Sequence, residues 1–221
     1  MPVMSLPNGA TDSSLEHAIN AIDVPSIRIG HRLIADGDER LLLPEEIGAF
    51  AASVVKVRRA SGAARFVARE LMPHFGCAPR AIPKSPAGPP VWPDGIVGSL
   101  AHDNEVAVAA MAAKSDYLSV GVDIEPAEPI EPGLLEIVAT VNERKGAAED
   151  PLRGRLLFCI KEAVYKAVNP LNGVFLDHHD VEVNLAQGTA VVWHGRQVEF
   201  RYCLAPRIVA LAFIPARSAH S

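Results

Sequence analysis

IVGSLAHDNEVAVAAMAAKSDYLSVGVDIE, residues 96–125, decides the fold. Ile96 to Leu100, Glu105 to Ala113 and Tyr117 to Ile124 are apolar runs of strand length, joined by short polar turns at Asp103–Asn104 and Lys114–Asp116. Upstream, Gly76 to Gly95 holds six prolines and the break at Gly88, so it predicts a long surface loop. Before it, Ala64, Val67, Ala68 and Leu71 form the apolar stripe of a helix over Arg58–His74, with Arg65 and Arg69 four apart on another face. Pro44-Glu45-Glu46 supplies an earlier helix start, Ser26 to Ile34 alternates like a strand, and Met1 to Val24 reads as an arm or an edge element. Downstream, a proline-punctuated link from Pro126 to Pro132 precedes helical patterns at Leu134–Val141 and Leu152–Val168. Four alternating strands follow, Val181–Leu185, Thr189–His194, Gln197–Leu204 and Arg207–Ile214. Helices followed by strands thus occur twice, which predicts an α+β chain of two halves, 1–115 and 116–221, meeting near Ser115.

The 221 residues, 49% of them hydrophobic, can build one large core or two smaller ones that share an interface. A formal charge of -5 argues against nucleic acid as the main partner, because a phosphate backbone demands clustered surplus Lys and Arg. No apolar run approaches the roughly 18 residues of a membrane span. The first twenty residues carry Asp12 and Glu16 but no Lys or Arg, unlike a secretory signal, so a cytoplasmic location is expected. Cys77, Cys159 and Cys203 are odd in number and widely spaced, and are expected to be reduced, small apolar residues.

Three segments carry chemistry. In Gly121-Val122-Asp123-Ile124-Glu125 the period of two puts both carboxylates on one strand face and both β-branched residues on the other. Two sheltered acids repel unless solvent screens them or a cation joins them, and magnesium with a phosphate-bearing substrate suits so few acids. In the long helix, Phe158, Glu162 and Lys166 recur every four residues and share a face. Glu162 can project toward the strand acids and Lys166 toward a phosphate oxygen; the plainer reading is a surface Glu–Lys pair. In WPDGIVGSLAH, residues 92–102, Gly98 and Ser99 let the backbone approach a ligand and His102 can donate to a phosphate, or is simply a surface residue beyond a turn.

Taken in order, these segments resemble the 4'-phosphopantetheinyl transferase superfamily. GVDIE is similar to its first metal motif, and FCIKEAVYKA to its Trp/Phe-x-x-Lys-Glu-Ala/Ser-x-x-Lys motif. WPDGIVGSLAH together with ARFVAREL (64–71) is similar in style to the larger monomeric subfamily, in particular the type that activates enterobactin synthetase. The resemblance covers about half the chain, Arg58 to Lys166.

It implies a pseudo-dimeric α+β fold with coenzyme A in the cleft between the halves. It also implies magnesium on Asp123, Glu125 and Glu162, with Glu162 the general base for a carrier-protein serine and Lys166 stabilising the departing adenosine 3',5'-bisphosphate. Arg59, Arg65 and Lys161 are implied phosphate contacts, and Ser99 and His102 further coenzyme contacts. The implied partner is an apo acyl, peptidyl or aryl carrier protein, met by a basic or apolar surface of a monomeric enzyme in secondary-metabolite or siderophore synthesis. Ala101 departs from the family's Ser or Thr before the motif histidine, so one coenzyme hydrogen bond is expected to be missing.

Overall fold

A computed structural model describes residues 11–86, 88–145, 150–193 and 195–216. The expected amino-terminal arm therefore falls partly outside the described residues, as does position 194. The elements run α1 (Ser13–Asn20), β1 (Ile27–Leu33), α2 (Pro44–Ile47), α3 (Val55–Leu71), β2 (Ile96–His102), β3 (Val106–Ala113) and β4 (Tyr117–Pro126). They continue with α4 (Pro132–Val138), α5 (Arg153–Asn172), β5 (Val181–Asn184), β6 (Thr189–Val192), β7 (Gln197–Cys203) and β8 (Arg207–Pro215). One sheet has the order β1-β3-β2 and the other β4-β8-β7-β6-β5, and all pairings are antiparallel.

The strands are apolar on both faces because they are covered on both. On β3, Ala109 and Met111 pack under α3, while Val106, Val108, Ala110 and Ala112 face the second sheet. On β8, Val209, Leu211 and Phe213 meet the first sheet, and Ile208, Ala210, Ala212 and Ile214 meet α5. The layers are therefore α3, first sheet, second sheet and α5, a mixed helix–sheet chain of two α+β halves that share the core between the sheets. Among the described residues, no helix is long and apolar enough to cross a membrane.

The sequence reading missed α1, whose Leu15 and Ile19 are 1% and 3% exposed in the inter-sheet core. Asp12 starts it, accepting from the amides of Ser14 (2.8 Å) and Leu15 (3.2 Å). The helix expected from Arg58 begins at Val55 and tightens into a 3-10 turn over Met72–Phe75 before Gly76. The helix expected from Pro44 closes after one turn.

Candidate active site between the two halves

β4 lies directly on the backbone of α5. A Cβ on Gly121 would stand 2.0 Å from the carbonyl oxygen of Ala163, so only glycine permits this approach. Val122 and Ile124, 0% and 1% exposed, plug into the inter-sheet core, while Asp123 and Glu125 face α5 as the strand period requires. Lys166 Nζ donates to Val122 O (3.2 Å) and to Asp123 Oδ1 (2.7 Å). Arg155, at the other end of the same helix stripe, donates to Glu125 Oε2 at 2.9 Å. Burial and the neighbouring Asp123 charge push the Glu125 carboxyl above its ordinary range, against the pull of Arg155.

Glu162 sits between these two contacts along α5, roughly 6 Å of helix axis from Lys166 and 10 Å from Arg155 at 1.5 Å per residue. Its Oε1 meets His178 Nε2 at 3.1 Å. Asp123 and Glu125 thus stand side by side while Glu162 turns to His178. Among the described residues, no three His, Cys, Asp or Glu side chains are grouped to hold a metal ion. One observation nevertheless fits a cation: Asp123 Oδ2 is buried with no hydrogen-bond partner among the described residues. Such an oxygen carries an uncompensated desolvation cost that a hard cation would relieve.

Two cavities border the neighbours of these acids, one through Lys166 and the other through His102 and Asp103. The first, about 490 Å³, draws walls from both halves: Trp92, Gly98 and Ser99 from one, Ser119, Tyr165 and Lys166 from the other. Gly98 makes room for the Trp92 ring, which comes within 2.7 Å of where its Cβ would be. The second, about 470 Å³, is bounded by Lys56, Arg59, His102 and Asp103. Arg59 is paired there with Asp36 (2.5 Å) and Glu39 (3.0 Å). Arg207 of β8 pins the turn after β2 to the second sheet through ion pairs with Asp103 and Glu105.

Two residues expected at phosphates are placed elsewhere. Arg65 is 5% exposed, donates to Ile82 O (2.9 Å) and covers the Phe50 ring, so its guanidinium is committed to packing. Lys161 is 2% exposed, and its Nζ donates to Val138 O (2.9 Å), Glu143 Oε2 (2.7 Å) and His178 O (2.8 Å). Its three hydrogens are taken, which leaves none for a ligand. Arg69 likewise binds the buried Glu46 at 3.0 Å. Ala101 points into the inter-sheet core beside Val108, so the hydroxyl expected there would meet apolar neighbours. The sequence reading did not single out Glu143, Arg155, His178 or Arg207; all four lie outside every quoted motif.

The chain matches two family models, the 4'-phosphopantetheinyl transferase N-terminal domain over residues 45–112 and the 4'-phosphopantetheinyl transferase superfamily over residues 119–212. It is 35% identical over 160 residues to 4'-phosphopantetheinyl transferase PptT of Mycobacterium tuberculosis (strain ATCC 25618 / H37Rv), covering 71% of this chain and 70% of that protein. The chain belongs to the 4'-phosphopantetheinyl transferase superfamily. Two further superfamily members are 4'-phosphopantetheinyl transferase Svp of Streptomyces mobaraensis, 36% identical over 67% of this chain, and 4'-phosphopantetheinyl transferase Npt of Nocardia iowensis, 39% identical over 63% of it. The matched part spans 63% and 64% of these two transferases' own lengths. The join between the two superfamily models, residues 113–118, falls where β3 of the first sheet gives way to β4 of the second.

Proposed function

We propose that the chain transfers the 4'-phosphopantetheine arm of coenzyme A to a serine of an apo carrier protein and releases adenosine 3',5'-bisphosphate. The observation that carries this is the set of surfaces the cleft offers. One cavity is lined by Lys56, Arg59 and His102 together with Asp36 and Asp103, and another by Trp92, Tyr165 and Lys166, the lysine that also holds Asp123. Coenzyme A has parts to match: a phosphorylated nucleoside, a diphosphate and a long, weakly polar arm. In this reading residues 1–115 supply most coenzyme contacts, Ser99 and His102 among them, and residues 116–221 the acids and the catalytic helix.

Asp123 and Glu125, with Glu162 from the facing helix, would hold magnesium, which when bound makes the diphosphate phosphorus more electrophilic. Glu162 takes the proton of the carrier serine, whose oxygen forms the new bond to the inner phosphorus as the bridging P–O bond breaks. Lys166 neutralises charge on the departing bisphosphate. Two of its three hydrogens are held by Val122 and Asp123, which leaves one, and the residue lines the first cavity. Because one chain furnishes both walls of that cavity, a monomer suffices. The style of the motifs favours carriers of siderophore or other secondary-metabolite synthesis, the enterobactin-synthetase-activating type among them, acting in the cytoplasm.

The test is incubation with coenzyme A, magnesium and several apo carrier proteins, read by intact-mass spectrometry. A carrier heavier by one phosphopantetheine is expected; no gain on any carrier rejects the transferase.

A further inference from the structure

We propose that His178, in the turn between α5 and β5, is a positioning residue that fixes the Glu162 carboxylate for cation binding; this rests on the transferase reading. Phe158, Lys161 and Glu162 lie three and four residues apart, on adjoining parts of one helix face. All three meet His178. The Phe158 ring stacks on the imidazole with centroids 5.5 Å apart and planes at 28°. Lys161 Nζ donates to the His178 carbonyl at 2.8 Å, and the imidazole Nε2 reaches Glu162 Oε1 at 3.1 Å.

The turn carrying His178 is braced without help from Glu162. Asp177 accepts from the His179 amide (3.3 Å) and Asp180 accepts from the Asp177 amide (2.8 Å). His179 Nε2 meets Glu136 O of α4 at 3.1 Å, and the Trp193 amide donates to Asp180 O at 2.9 Å. The imidazole is therefore a fixed point and Glu162, about a third exposed, is the partner that is held. A carboxylate oxygen accepts, so Nε2 donates, and with Oε1 engaged Oε2 is the oxygen left for a cation. Outer-shell donors of this kind change metal affinity or activity by about 10–100-fold when removed. Lys161, buried beneath the site, acts at one remove by anchoring the backbone of His178.

The experiment uses the full chain with Mn²⁺ as probe, following free Mn²⁺ by electron paramagnetic resonance, alongside kcat and KM for coenzyme A. His178→Phe keeps an aromatic ring on Phe158 but removes the donor; His178→Gln restores a donor. We expect His178→Phe to bind Mn²⁺ about tenfold more weakly and to lose kcat by about tenfold, with KM for coenzyme A within about twofold of wild type. His178→Gln should recover most of both losses. If Glu162→Gln weakens Mn²⁺ binding but neither His178 variant does, this inference alone falls. If the unaltered chain does not bind Mn²⁺, the transferase reading falls with it.

Discussion

Replacing Lys161 by methionine separates two roles for the lysine of the family motif. The ammonium is enclosed, with 1% of its side chain exposed, and it neutralises Glu143, 3% exposed at its side chain, across 2.7 Å. Glu143 also accepts from the amides of Val183 (2.7 Å) and Thr140 (2.8 Å), so it ties β5 and the segment after α4 to the middle of α5. Lys161→Met fits the aliphatic part of the space but strands a buried carboxylate and two carbonyls. Breaking such a pair from one side costs about 3–5 kcal/mol. For a chain of this size that lowers Tm by about 6–20 °C, at about 2–4 °C per kcal/mol. Glu143→Gln in the same chain removes the stranded charge, although its single oxygen can accept from only one of the two amides. The double variant should therefore be more stable than the sum of the single losses predicts, by about 0.5–3 kcal/mol. Thermal and urea unfolding of the four chains gives this cycle, and steady-state kinetics gives KM for coenzyme A. A Lys161→Met chain that melts within about 2–4 °C of wild type, which is about 1 kcal/mol, while KM rises at least tenfold, would refute the buried role and return Lys161 to a phosphate.

Asp123→Ala and Glu162→Ala should each abolish carrier modification with a near-native circular dichroism spectrum; turnover by either variant removes that acid from the mechanism. Ala101→Ser buries a hydroxyl among apolar side chains and should cost about 1–3 kcal/mol without lowering KM for coenzyme A, whereas a lower KM would restore the expected hydroxyl contact. His31 is held below its ordinary 6.5, mainly by burial and against the Asp12 backbone contact and the charges of Glu16 and Asp12, and it accepts from the Asp12 amide at the start of α1. Since the unfolded chain then binds the proton more readily, this group's stabilising contribution is present above 6.5 and is lost as pH falls toward the lower folded value. His31→Gln should flatten the decline in urea-unfolding free energy over that interval; an unchanged slope would disconnect His31 from it.

What the sequence disclosed was whatever repeats at short range. The alternation in β4 placed Asp123 and Glu125 on the face opposite Val122 and Ile124, and the four-residue step of α5 placed Glu162 and Lys166 on one stripe. The strands of the second half were found within a few residues. The helix α1 escaped because two turns carry only Leu15 and Ile19 as an apolar stripe, although Asp12 followed by two serines was a usable cap signal. The partners of Arg65 and Lys161 escaped for a different reason. Periodicity tells which face a side chain occupies, but not what chain segment crosses that face. Phe50 and Ile82 cover Arg65, and Glu143 covers Lys161, and all three arrive from loops 15 to 18 residues away along the chain. His178 met Glu162 through the same kind of non-local contact.

The acids of the cleft are also less alike than their shared motif suggests. Asp123 has Lys166, Glu125 has Arg155 and Glu162 has His178, so each is bound from the helix side or from the turn beyond it. Three carboxylates close together would oppose folding by mutual repulsion, and pairing each with its own base lowers that cost before any ligand arrives. Among the described residues the pairing is incomplete at Asp123 Oδ2, which is enclosed and has no hydrogen-bond partner. Glu125 and Glu162 remain 19% and 31% exposed at their side chains, so solvent can stand in for a partner there. At Asp123 Oδ2 it cannot, and that oxygen is therefore where a cation gains most from binding and where the folded chain has the strongest reason to take one.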